Sequence, residues 1–79
     1  MTIEFTTDQW SQQAEDVFTA MLTVEEVLDK PLMQVFKYGD PETKLIIGLI
    51  IPKMLTYIKA NNMIMIQYHE PISGYIAIV

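Results

Sequence analysis

A chain with no cysteine and a single histidine, His69, has no disulfide and no zinc staple to fall back on. Domains of this size, 79 residues, draw on such staples or on oligomerisation when their own core is thin. Apolar residues make up 51% of the chain and are spread along its length. They have to supply the core alone or together with a second copy. The chain is too short for two cores, so residues 1–79 are read as one domain, and self-association is a first expectation.

The opening Met1-Thr2-Ile3-Glu4 has neither the positive region nor the apolar stretch of a secretory signal, and a cytoplasmic location is expected. The longest apolar run, Leu45 to Pro52, falls far short of the roughly 20 residues of a spanning helix, so no membrane partner is expected. The charge is segregated. Residues 1–29 carry seven acids and no base, residues 30–62 carry all five lysines against Asp40 and Glu42, and Glu70 follows, so the net −5 divides into −7, +3 and −1. There is no arginine. An acidic chain without the commonest base-reading side chain is poorly suited to phosphate contacts, and direct nucleic-acid binding is not expected.

The spacing along the chain predicts an α+β domain. Ile3-Glu4-Phe5 alternates as a short N-terminal strand, and Thr6, Thr7 and Asp8 supply N-cap residues for a long amphipathic first helix. Its apolar seam, Trp10, Ala14, Val17, Met21, Val24 and Leu28, has a period of 3.5. Thr23-Val24-Glu25-Glu26 resembles a capping box within it, and Pro31 ends it. Leu32, Met33, Val35 and Phe36 suit a short second helix closed by Gly39, and Asp40-Pro41-Glu42 reads as the start of a third. That third helix is expected to be buried and kinked at Pro52, the alternative being a strand over 44–51 followed by a helix from Pro52. Met63–His69 and Tyr75–Val79 read as the two strands of a C-terminal antiparallel hairpin. Met54, Met63 and Met65 are expected to fill the core.

Chemistry is hard to build from these residues. His69 is the one candidate base, and its neighbours Glu70 and Ser73 are too local to complete a nucleophilic triad. Glu15-Asp16 and Glu25-Glu26 diverge on a helix, and no glycine-rich phosphate loop occurs. Neither catalysis nor a cofactor or metal is expected. The sequence points to contact, in the form of a small protein-interaction module that pairs with itself as a dimer, through the hairpin edge, the third helix or the seam of the first helix. The residues expected to carry it are Trp10, Val17 and Met21 on the seam and Tyr75, Ile76 and Ile78 on the last strand, whose edge bears no charge to protect it. The alternative is an acidic inhibitor of phage or mobile-element type. Glu15, Glu25, Glu26 and Asp29 would then occupy a basic nucleic-acid-binding site on a host protein.

Overall fold

Alternation with a period of two decides the architecture. Ala20 and Leu22 on one segment, Ile64 and Ile66 on a second and Ile76 and Ile78 on a third are buried, whereas Met21 between the first pair is exposed. Such a pattern places one face of a strand in a core and the other in solvent. The computed structural model, which describes residues 1–79, consists of eight strands and a single 3₁₀ turn, Thr7–Gln9, with no α-helix. The strands are β1 (Thr2–Phe5), β2 (Trp10–Ala14), β3 (Val17–Thr23), β4 (Met33–Asp40), β5 (Leu45–Ile50), β6 (Met54–Ile58), β7 (Met63–Tyr68) and β8 (Gly74–Ile78).

They form two four-stranded antiparallel sheets, β1-β8-β4-β5 (sheet A) and β2-β3-β7-β6 (sheet B), packed as a sandwich. The central strands interlock: β3 lies beside β7 in one sheet while their successors β4 and β8 lie side by side in the other. Eleven buried apolar residues from both sheets form the core between them. Burying each large one contributes about 1.5–3 kcal/mol, so this layer is the main source of stability. Trp10 closes one side of it. Its ring meets Phe5 edge-on at 5.7 Å, and its indole N–H donates to the Ile72 carbonyl at 2.9 Å.

The expected helices are therefore corrected to strands. The period-3.5 seam from Trp10 to Leu28 is β2, a tight turn at Glu15-Asp16, and β3 with the connection beyond it. Val17 and Met21 had counted as seam, but the residues facing the core are Ala20 and Leu22, with Phe18 packed against them. The β-branched and aromatic start of β3, Val17-Phe18-Thr19, suits a pleated strand better than a helix. Asp16 takes a left-handed φ of 58° at the turn, which a short polar side chain tolerates. The capping signals mark turns. At Thr6 the backbone N–H donates to the Gln9 Oε1 at 2.8 Å, yet the helix it starts lasts one turn. At Asp40 the carboxylate accepts from the Glu42 N–H at 3.0 Å, the same local bond that caps a helix but here closing the β4–β5 turn.

Pro52 does not kink a helix; it lies in the short crossing from β5 in sheet A to β6 in sheet B. The alternative of a strand over 44–51 coincides with β5, whereas the helix it placed after Pro52 is strand β6. The C-terminal hairpin is also corrected, because β7 and β8 belong to different sheets and do not pair with each other. The N-terminal strand is present as β1 and pairs with β8.

One polar latch ties the connection between β3 and β4 to the β6–β7 turn. Asn62, held at φ 56°, donates from Nδ2 to the Val24 carbonyl at 2.7 Å and accepts from the Tyr57 hydroxyl, which itself accepts from the Leu28 N–H at 3.1 Å. Asn62→Ala strands these half-buried partners and puts a Cβ without a polar tip in the left-handed region. The expected loss is about 2–3 kcal/mol, read as a lower urea midpoint at unchanged slope. Asn62→Gly relieves the backbone part alone and should fall between the two.

Candidate functional site

A two-sheet sandwich has four edge strands, and unpaired backbone groups along them invite further strands unless they are blunted. Three are blunted here. β1 is four residues long and carries Glu4; β2 is polar and bulged between Gln12 and Ala14; β6 is bracketed by Pro52-Lys53 and Lys59. β5 is not. Its sequence Leu45-Ile46-Ile47-Gly48-Leu49-Ile50 has no charge, and Leu45 is 65% exposed, Ile47 67% and the following Ile51 89%. Ile46 and Leu49 are also exposed. These five side chains present on the order of 600 Å², the upper end of what the largest apolar patch of a monomer shows.

The edge is antiparallel along its length. Its pairing with β4 slips twice in opposite senses, Ile47 being the extra residue on β5 and Gly39 the extra one on β4, so the register is restored at Asp40↔Leu45. Behind the edge, the outer face of sheet A continues the apolar surface. Phe36 stacks on Tyr75 at 4.9 Å, Tyr38 lies 5.8 Å from Tyr75, and Leu49 pairs across from Phe36. At one end Lys44 donates to Glu4 at 2.9 Å. The hydrogen bond that Lys44 donates to Glu4, and then the Glu4 charge, raise the Lys44 pKa above its ordinary value of 10.5. A raised folded-state pKa stabilises below the unfolded value. The contribution of the Lys44 charge is thus expected to hold through neutral pH and to be lost as the pH rises beyond about 10.5, a loss that Glu4→Gln removes from a pH series of urea midpoints.

Sheet B presents a different surface. Its outer face is built of cross-strand rows, Ser11-Thr19-Gln67-Met54 and then Met21-Met65-Thr56. A third row, Thr23-Met63-Ile58, completes it, and Gln67 donates to Thr19 Oγ1 at 3.2 Å. No side chain in the three rows is ionisable. Met63 and Met65 are half-buried on this face, and Met21 and Met54 are exposed, so the methionines expected in the core lie outside it.

The other residues singled out in the sequence are scattered. Trp10, Ile76 and Ile78 are core residues, Val17 and Tyr75 are half-buried and Met21 faces solvent. β8, expected to offer a free edge, sits between β1 and β4 with both sides paired. Glu25, Glu26 and Asp29 share the connection after β3, but Glu15 lies at the far end of that strand, seven residues and about 20 Å away. His69 follows β7, its ring tilted against Tyr68 with centroids 4.2 Å apart and its Nε2 4.0 Å from Glu70. No three of the His, Asp and Glu side chains converge as a metal site requires. No helix is long and apolar enough to cross a membrane. Comparison with family models, with curated proteins and with solved structures found no match.

The β5 edge was missed because Leu45–Ile51 reads equally as a buried helix or a buried strand. The usable signal was negative. A sheet edge normally carries a lysine or proline within the strand, and this run has neither.

Proposed function

We propose that this chain is a protein-interaction module that acts by pairing with itself, and that β5 is the element through which it does so. The observation that supports the reading is the uncharged, exposed β5 edge. In an antiparallel pair about a two-fold axis, β5 of one copy adds to β5 of the other and joins two four-stranded sheets into one of eight. The flanking lysine at one end is already neutralised within its own chain by Glu4. The apolar area available, on the order of 600 Å², is about three-quarters of the ~800 Å² per partner of an ordinary stable interface. The opposite flank of the sandwich, β1 and β2, offers no comparable surface, since Glu4, Ser11 and Gln12 occupy it.

Sedimentation equilibrium tests the reading. The weight-average mass should rise from that of one chain, 9.1 kDa, toward twice that value with increasing concentration. A mass that stays at one chain over the whole range contradicts it.

A further inference from the structure

The segregated charge of the sequence takes on a geometric form in sheet B. The outer strand β2 is bracketed by acids, Asp8 before it and Glu15-Asp16 after it, and the outer strand β6 by lysines, Lys53 before and Lys59 after. Three antiparallel steps separate these strands, so β2 and β6 run in opposite directions. Asp8 therefore shares one end of the sheet with Lys59, and Glu15 shares the other with Lys53. One side of the face is acidic at both corners and the other side is basic at both corners, with three uncharged rows between them.

From this arrangement we infer that the outer face of sheet B is a second self-contact, in which two copies stack face to face about a two-fold axis parallel to the strands. That rotation lays the β2 side of one copy over the β6 side of the other. Asp8 then meets Lys59 and Glu15 meets Lys53, each twice, while the uncharged Met and Thr rows meet in the middle. Covering those rows desolvates no ionised group, and methionine adapts its shape to an imperfect fit. A foreign basic partner would instead find two lysines on the rim. The face spans four strands at ~4.8 Å and about five residues at ~3.4 Å, roughly 20 by 17 Å. It is smaller than a standard interface and gives a weaker contact than β5. The inference does not depend on the β5 pairing. If both contacts form, each chain binds two neighbours and the mass exceeds that of a dimer.

The test uses the full chain with β5 blocked by Leu45→Lys/Ile47→Lys, followed by sedimentation equilibrium up to about 1 mM. The expected result is a monomer–dimer equilibrium. Adding Met65→Glu at the centre of the face should abolish it, and Lys53→Glu/Lys59→Glu should weaken it about tenfold or more. Combining that pair with Asp8→Lys/Glu15→Lys should restore it, which loss of folding cannot mimic. A blocked chain that remains monomeric overturns the inference and leaves the β5 reading intact. A chain with β5 intact that associates no further than the blocked chain, its dimers dissolving with Met65→Glu, supports the inference and removes the β5 reading. Mass that grows without limit indicates head-to-tail pairing of β2 with β6, and overturns the face-to-face stack.

Discussion

Gly74→Ala should leave little folded protein. Gly74 opens β8 in the middle of sheet A, opposite Phe5 on one side and Lys37 on the other. A Cβ built there would lie 1.9 Å from the Phe36 carbonyl oxygen and 3.0 Å from its carbon. Both are backbone atoms of β4, so no side chain can rotate away. The two strands would have to part, and with them the adjoining bond from the Tyr38 N–H to the Ser73 carbonyl at 2.9 Å. Overpacking of this kind costs about 3 kcal/mol or more, against a total stability of about 4–12 kcal/mol for a domain of this length. Gly48→Ala is the control. Nothing lies within 4 Å of a Cβ there, and its φ of 151° makes the change strained but not obstructed. Urea unfolding should therefore rank Gly74→Ala far below Gly48→Ala, and equal losses at the two sites would contradict the close approach of β8 to β4.

Leu45→Lys/Ile47→Lys should abolish the pairing through β5 without unfolding the protein. Both side chains are largely exposed in the single chain, and surface substitutions of this kind usually shift folding stability by less than about 0.5 kcal/mol. In a paired edge each substitution acts twice, removing apolar burial worth about 1.5 kcal/mol or more per side chain and bringing like charges together. The dissociation constant should rise at least about a hundredfold, with the thermal midpoint of the dissociated chain nearly unchanged. Lysine within an edge strand is also the device by which other β proteins keep their edges apart.

The sequence exposed some of this architecture and concealed the rest for identifiable reasons. Ile3-Glu4-Phe5, Met63–Tyr68 and Tyr75–Ile78 alternate over a short span between turn residues, and all three are strands. Their partners were concealed, because adjacency in sequence suggested a hairpin where β7 and β8 in fact cross from one sheet to the other. In the first third, Trp10, Ala14, Val17 and Met21 satisfy a helical period as well as Trp10, Ala20 and Leu22 satisfy a strand period. The turn that separates the two possibilities, Glu15-Asp16, contains neither glycine nor proline to announce it. Local hydrogen bonding misled in the same way, since Thr6 and Asp40 make cap-like bonds at turns. For the site, the expectation of contact rests on apolar content with no staple to support it, and composition carries no information on where such a contact would lie. Core and edge are exchanged between the two readings, with Ile76 and Ile78 enclosed and Leu45–Ile51 left outside.

Amide hydrogen exchange on the wild-type chain, compared at low and high concentration, tests the β5 pairing most directly. The outward-facing amides of β5 are unpaired in a single chain and bonded in an antiparallel pair, so their exchange should slow with concentration while the amides at the β1 edge stay unchanged. Residues Leu45–Ile50 exchanging at the same rate at both concentrations, in a sample whose mass shows association, would place the contact elsewhere.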